Sequence, residues 1–230
     1  MTQVTIFSGA FGSGKTEIAL NYALERAKHT EYKEILLADL DTANPYFVAR
    51  DAKDLLGTEG EKIRIIAPVK ELALADVPNL PSGILGLLRA DNDMVAHLAG
   101  DKFGALVLGY LSGYIRARHH FNMYMVVNPY RPFSSSIDEV IELKGMLERA
   151  GRIEFSGIIS NPNLVEETTL ELIQEGHGRV VEFAKEMGIP VAYLAVESKY
   201  YQELYPEYGN HLKCIKLFLR PNWIRGLEEE

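Results

Sequence analysis

Cysteine pairs, long apolar runs and an excess of basic charge are all missing from this sequence, and each absence excludes a class of protein. The chain has 230 residues and one cysteine, Cys214, so no disulfide can form within it and we expect a reducing, cytoplasmic location. No basic segment followed by an apolar stretch opens the chain, so no signal peptide is expected. The most apolar predicted helix, 103–115, falls short of the roughly 20 residues that a bilayer requires. We therefore expect no membrane association.

Charge and composition narrow the possibilities further. The formal net charge is −8 at pH 7, which argues against a nucleic-acid partner held by charge alone. Hydrophobic residues make up 47% and charged residues 24%, a composition typical of globular proteins. This length suits one well-packed domain better than two, so we expect a single domain over residues 1–230. Cys214 lies in an apolar, strand-like stretch and is expected to be buried or half-buried.

Strand-like and helix-like segments alternate along the chain. This alternation predicts an α/β fold, with a mostly parallel sheet covered by helices on both faces in three layers. The predicted strands are 3–8, 34–39, 62–67, 94–98, 122–128, 154–160, 190–196 and 211–218. The predicted helices are 14–28, 46–56, 101–118, 135–150, 166–187 and a short one at 199–204. Two prolines and a glycine make 78–83 a candidate loop or lid.

The first predicted strand and helix are joined by a phosphate-binding motif. Residues 9–16, GAFGSGKT, match G-x-x-x-x-G-K-[ST] in the strand-to-helix setting that the motif requires. Glycines let backbone N–H groups face a phosphate, and the helix N-terminus adds a partial positive charge. We predict that Lys15 reaches the β- and γ-phosphates and has no partner within the protein, and that Thr16 binds Mg²⁺. The predicted nucleotide-binding residues of this loop are Gly9, Phe11, Gly12, Ser13, Gly14, Lys15 and Thr16.

Two aspartates, Asp39 and Asp41, follow the second predicted strand. Ligands of open α/β folds bind at this carboxyl edge of the sheet, so one carboxylate can face Mg²⁺ and the other a nucleophilic water. In an alternative interpretation, Asp39 caps a turn and Asp41 caps the next helix. With the phosphate loop nearby, we favour Asp39 as a metal residue and Asp41, together with Lys15, as a catalytic residue.

Three elements together resemble a known group of proteins. They are the phosphate loop, the D-x-D sequence at 39–41, and Val126-Val127-Asn128-Pro129 followed by the serines at 134–136. This combination resembles the ParA/MinD and nitrogenase-iron-protein branch, also called SIMIBI, of the P-loop NTPases. The 39–47 segment is also similar to a little-characterised set of bacterial ATP-binding proteins in that superfamily. The resemblance extends, with gaps, to about residue 196, and it implies ATP and Mg²⁺ as cofactors.

The sequence departs from that branch in three places. Ala10 stands where the branch usually has a lysine that reaches the nucleotide of a partner subunit, so dimerisation coupled to ATP is not expected by that device. His97 takes the place of the Walker B aspartate, so Asp39 or Asp101 would have to supply the negative charge. The alternative for His97 is an ordinary core-edge histidine. A single cysteine also excludes the cysteine-held metal between subunits that some members have.

The base-binding and partner-binding residues are less strongly marked. Asn161 follows a predicted strand where this superfamily often contacts adenine, although an asparagine before Pro162 also suits a turn. No N-K-x-D element for guanine is present, which favours ATP. Arg131 and Arg116 are candidates for phosphate or acidic-ligand contact, and surface ion pairs are the alternative. Tyrosines 200, 201, 205 and 208 either pack against the sheet edge or form a surface for a homodimer or protein partner.

Three functions remain open from the sequence. The resemblance implies an ATP-binding protein that hydrolyses ATP slowly with Mg²⁺ and acts as a nucleotide-controlled switch or accessory factor. A second possibility is an ATP-dependent small-molecule kinase or ligase, in which Asp41 accepts a proton from the substrate and Tyr46 or Arg131 floors its pocket. The third is a scaffold that senses nucleotide without hydrolysing it. The fold cannot choose among them.

Overall fold

A computed structural model describes residues 2–29, 34–41, 57–68 and 80–219 of the chain. The strands are β1 (Val4–Gly9), β2 (Ile35–Leu40), β3 (Ile63–Ile66), β4 (Met94–Ala99), β5 (Phe121–Val127), β6 (Gly157–Ser160), β7 (Val191–Glu197) and β8 (Leu212–Ile215). The helices are α1 (Lys15–His29), α2 (Ile84–Arg89), α3 (Lys102–Arg116), α4 (Ile137–Gly151), α5 (Leu170–Met187) and α6 (Ser198–Tyr208). Short 3₁₀ turns lie at Gly57–Gly60, Val165–Glu167 and Gly209–His211.

All eight strands form one parallel sheet in the order β3-β2-β4-β1-β5-β6-β7-β8. Every residue of β1, β2 and β4 is buried, because these central strands are covered on both faces. After β1 the chain moves to β2 on one side of the sheet, and after β4 it crosses to β5 on the other side. The carboxyl end of β1 therefore lies at the point where strand order reverses, which is where open α/β folds bind ligands.

Two hydrophobic cores place the helices on opposite faces. On one face, Leu88 of α2, Leu108 of α3, Val140 of α4 and Val180 of α5 pack together against the sheet. On the other face, Ile18, Ala23 and the rest of the buried side of α1 pack against β1, β2 and β5 through β8. The prediction of a three-layer α/β fold is confirmed. A single domain over residues 1–230 stays a prediction.

The ends of the helices follow local sequence signals, with some differences from expectation. Ser136 and Glu139 form a capping box at the start of α4, and Gly188 ends α5 in a left-handed conformation with φ 67°. Arg152 is the left-handed residue after α4, with φ 52°. The short helix α2 was not predicted. The predicted helix 46–56 lies outside the described residues, and the described part of the 78–83 loop, residues 80–83, leads directly into α2.

Two expectations from composition can be compared with the structure. The prediction that Cys214 is buried or half-buried is wrong, because β8 is the last strand of the sheet and the side chain of Cys214 is exposed there. Among the helices of the described residues, none combines the length and the apolar character that crossing a membrane requires.

Candidate functional site

The phosphate loop connects β1 to α1 as a tight turn. Gly12 and Gly14 have φ values of 76° and 89°, in the left-handed region where a Cβ would be strained. The backbone N–H of Ser13 donates to the carbonyl of Ala10 at 3.1 Å, and that of Ile18 donates to Gly14 at 3.0 Å. The loop therefore passes directly into the first turn of α1, which leaves the N–H groups of that turn directed out of the sheet edge.

Lys15 and Asp41 form an ion pair at this edge. The Lys15 Nζ lies 3.1 Å from the Asp41 Oδ2, and the two side chains are only 9% and 10% exposed. The expectation that Lys15 has no partner within the protein is therefore wrong. The D-x-D segment lies two strands away from the phosphate loop in the sheet, and the ion pair joins the two elements.

Asp39 and His97 occupy adjacent positions of β2 and β4 in the sheet register. The His97 Nε2 lies 3.3 Å from the Asp39 Oδ1, and that oxygen also accepts the backbone N–H of Asp41 at 3.0 Å. Burial raises the pKa of Asp39 although His97 opposes this, and burial lowers the pKa of His97 although Asp39 opposes it. Burial therefore favours the neutral form of the histidine. Asp39 also caps the turn to Asp41, which was the alternative interpretation of that residue.

Asn161, at the end of β6, contacts the back of the phosphate loop. Its Nδ2 donates to the carbonyl of Ser13 at 2.8 Å, and a Cβ on Gly14 would lie 2.2 Å from that nitrogen. The Asn161 Oδ1 is buried, and no hydrogen-bond partner for it is present among the described residues. The structure thus places Asn161 against the loop that is expected to hold phosphate. Its contact with adenine stays a prediction.

Comparisons with known proteins found similar folds among solved structures only. No protein-family model matches the sequence, and a search among curated proteins found no match either. FtsY from Mycoplasma mycoides superposes with a TM-score of 0.56 at 17% identity, over 85% of this chain and 61% of that one. The nucleotide-binding protein from Archaeoglobus fulgidus in complex with ADP superposes with a TM-score of 0.51 at 17% identity, over 87% and 84%. FtsY from Elizabethkingia anophelis in complex with GDP gives 0.50 at 16% identity, over 85% and 57%.

The fold is that of a P-loop NTPase. The fold agrees with the one that the resemblance implies, and membership of the SIMIBI branch stays a prediction. The chain spans less than two thirds of the length of the FtsY chains that it matches. At identities this low, structural similarity is evidence for the architecture alone, so the chemistry has to be argued from the residues of the site.

The structure shows the surroundings of Ala10 and Asp101, two residues that concern departures from the P-loop NTPase pattern. Ala10 is 2% exposed and packs in the core beneath the loop, where the branch usually has its second lysine. Asp101 is the N-cap of α3, and its Oδ1 accepts the backbone N–H of Gly104 at 2.8 Å. That carboxylate is therefore already committed to the helix. Among the described residues, Asp39 is the carboxylate that pairs with His97 at the Walker B position.

Arg131 lies next to the phosphate loop and Arg116 does not. The Arg131 Cδ is 3.5 Å from where a Cβ on Gly12 would be, and its Nε is buried with no partner in the described parts of the chain. Arg116 is exposed at the end of α3, about 20 Å along the helix from the edge that carries the loop. Of the two arginines, only Arg131 is positioned to contact a ligand held by the phosphate loop. Tyr46 lies outside the described residues.

Asn128 has a positioning role that was not assigned from the sequence. It is 1% exposed, its Nδ2 donates to the carbonyl of Asn163 at 2.7 Å, and its Oδ1 accepts the N–H of Tyr130 at 3.1 Å. Its own carbonyl accepts the N–H of Arg131 at 3.1 Å. These bonds hold the turn that brings Arg131 beside the loop. The Asn-Pro pair at 128–129 was the only sequence signal of this role.

Proposed function

We propose that the protein binds ATP with Mg²⁺ and hydrolyses it slowly, as a nucleotide-controlled switch. The observation that supports this proposal most directly is the ion pair between Lys15 and Asp41 at 3.1 Å. It lies beside the phosphate loop, at the point where strand order reverses in the sheet. A triphosphate at this loop would take Lys15 from Asp41 and release the Asp41 carboxylate at the start of the segment after β2. Binding of phosphate and the position of that segment are then linked.

The residues suit a metal that arrives with phosphate. In the described segments, no group of three or more His, Cys, Asp or Glu side chains is placed to hold a metal ion. Mg²⁺ in nucleotide sites uses one or two protein oxygens together with phosphate and water. Thr16 and Asp39 would provide those protein oxygens. Bound Mg²⁺ would neutralise charge on the phosphates.

The remaining residues have distinct roles in this proposal. Lys15 and the N–H groups of Gly9, Phe11, Gly12, Ser13 and Gly14 hold the phosphates, and Asp41 orients the attacking water once Lys15 has left it. Asn161 contacts the adenine through its Oδ1, while its Nδ2 keeps the loop in place. The neighbours in complex with ADP and GDP leave the choice of base to experiment. We expect the protein to act in the cytoplasm with a protein partner or as a homodimer.

One observation favours a second function, a nucleotide-sensing scaffold without hydrolysis. Burial lowers the pKa of His97, so the Walker B position carries no charge near neutral pH. Of the two proposed metal ligands, Thr16 and Asp39, only Asp39 could then supply negative charge, and its own pKa is raised by burial. Such a site would bind nucleotide and respond to it without stabilising the transition state of hydrolysis.

Calorimetric titration with Mg-ATP tests the binding proposal. Lys15→Ala should abolish binding in a folded protein, because it removes the charge directed at the phosphates. Lys185→Ala is the matched control, since Lys185 is an exposed lysine of α5 on the other face of the sheet. Undiminished affinity in Lys15→Ala would contradict the phosphate-loop assignment.

Phosphate release from Mg-ATP separates the switch from the scaffold. A slow release that disappears in Lys15→Ala and persists in Lys185→Ala supports hydrolysis. Binding without any release, with or without added partner proteins, supports the scaffold.

A further inference from the structure

The side chain of Arg131 runs along the phosphate loop at Gly12. Its Cδ, Cγ and Nε lie 3.5, 3.7 and 3.9 Å from the position that a Cβ on Gly12 would take. The Nε is buried and has no hydrogen-bond partner among the described residues, and the ion pairs of those residues do not include Arg131. A buried donor without a partner is costly, so an anion at the loop would complete the surroundings of this arginine.

A tightly bonded turn holds Arg131 in this place. The buried Ser134 donates its hydroxyl to the carbonyl of Asn128 at 2.7 Å, and the N–H of Ser134 donates to the carbonyl of Arg131 at 3.3 Å. Phe133 has φ 64°, a conformation that a bulky residue keeps only where its surroundings fix it. The Tyr130 hydroxyl donates to a backbone carbonyl of α5 at 2.6 Å. The turn therefore has a fixed shape, and Arg131 requires little rearrangement to bind a ligand.

The charges of the site leave room for a second cation. Lys15 is paired with Asp41 at 3.1 Å, and Asp39 lies beside the same turn. The buried Ala10 brings no charge to the place where the SIMIBI branch usually has its second lysine. Without Arg131, the ionisable side chains named here would carry no net positive charge toward a phosphate group. A guanidinium can bind two phosphate oxygens at once, so an arginine suits this place.

We propose that Arg131 binds the phosphates of the nucleotide from within the same chain. This inference rests on the proposed function and names a further residue of its phosphate site. Lys15 approaches the phosphates from the start of α1, and Arg131 approaches them from the turn after β5. Because β1 and β5 are adjacent in the sheet, one chain supplies both cations. The phosphates then require no side chain from a second subunit. An arginine supplied in this way also stabilises charge in the transition state of phosphoryl transfer.

Calorimetric titration with Mg-ATP and with Mg-GTP tests this role. Arg131→Gln should weaken binding of the nucleotide that wild type prefers by at least about tenfold, because a charged hydrogen bond to phosphate is lost. Arg131→Lys keeps the charge without the planar fork, so it should lose less affinity. Arg116→Gln is the matched control, since Arg116 is exposed at the far end of α3, and it should bind like wild type.

Stability without nucleotide separates binding of a ligand from a structural role. Because the Arg131 Nε has no partner among the described residues, Arg131→Gln should unfold in urea at the same concentration as wild type. If both Arg131 variants unfold at clearly lower urea concentration, the arginine is a structural residue and the inference is overturned. If only Arg131→Gln fails to fold, Arg131→Lys decides, and unchanged affinity in that variant contradicts a bidentate contact with phosphate.

A mixture of two variants tests whether Arg131 acts within its own chain. Lys15→Ala keeps Arg131 and lacks the lysine of the phosphate loop, whereas Arg131→Gln has the opposite defect. The proposal predicts that an equimolar mixture binds no more nucleotide than the separate variants do. Restored affinity in the mixture would show that Arg131 reaches the nucleotide of a second copy. Wild type that binds neither nucleotide would contradict the proposed function and this inference together, and binding that Arg131→Gln retains in full would contradict this inference alone.

Discussion

The Lys15–Asp41 pair makes a quantitative prediction about stability in the absence of nucleotide. At 3.1 Å, Coulomb's law with an effective dielectric constant of about 20 gives a gross attraction of about 5 kcal/mol. Desolvation of two side chains that are 9% and 10% exposed offsets much of it. Exposed pairs retain about 0–1 kcal/mol, and breaking a buried pair costs about 3–5 kcal/mol. For this nearly buried pair we expect a coupling free energy of about 2 kcal/mol.

A double-mutant cycle measures this coupling without interference from the other contacts of Asp41. The variants are Lys15→Met and Asp41→Asn, which keep the shape of each side chain, and the double variant. Each single change leaves a charge buried without its partner, so each should lower the free energy of unfolding in urea. The double variant should be about 2 kcal/mol more stable than the sum of the two losses predicts.

The refuting result is additivity. If the two losses add within about 0.5 kcal/mol, the ion pair contributes nothing measurable, and the proposed exchange of Asp41 for phosphate loses its basis. Circular dichroism of all four proteins and equal dependence of their unfolding free energies on urea are the necessary controls.

Four further outcomes are expected. Labelled ATP should be displaced by ATP at lower concentration than by GTP, and equal displacement would contradict adenine preference. Asp41→Asn should lower turnover about 100-fold without weakening ATP binding, whereas Asp39→Asn should weaken the Mg²⁺ dependence of binding, and identical behaviour would mean that their roles are divided wrongly. Because burial lowers the pKa of His97, the unfolded chain gains a proton below about pH 6.5 that the folded protein does not, so wild type should lose more stability than His97→Gln between pH 7.5 and 5.5 in urea unfolding. With Ala10 in the loop, light scattering should show the same association state with and without ATP, and a shift from monomer to dimer would contradict this.

The parts of the fold that could be predicted are those set by local sequence. The phosphate loop was recognisable because its glycines, its lysine and its flanking strand and helix are consecutive in the chain. The buried central strands were recognisable because parallel strands covered on both faces are continuous apolar runs. The helix α2 has only six residues, too few for a periodic pattern to stand out.

The electrostatics of the site could not be predicted, because they depend on sheet order. β2 and β4 are adjacent although β3 lies between them in sequence, and only this adjacency sets Asp39 beside His97. The same order brings Asp41 to Lys15. From the sequence, we expected His97 to leave the Walker B position without its usual negative charge and Lys15 to have no partner within the protein. In the structure, each has a carboxylate partner, and the two pairs connect the phosphate loop to the segment after β2.

The sequence left two interpretations open for the tyrosines of α6. Tyr200 and Tyr208 lie eight residues apart on the same side of the helix as the buried Leu204, and they pack in a small core there. The Tyr200 hydroxyl donates to the carbonyl of Thr168, and the Tyr208 ring contacts His177. Tyr201 and Tyr205, one position further along, also line a groove beside α1. The packing interpretation therefore holds for Tyr200, Tyr201 and Tyr208, which contact this core, and a surface for a homodimer or protein partner stays a prediction.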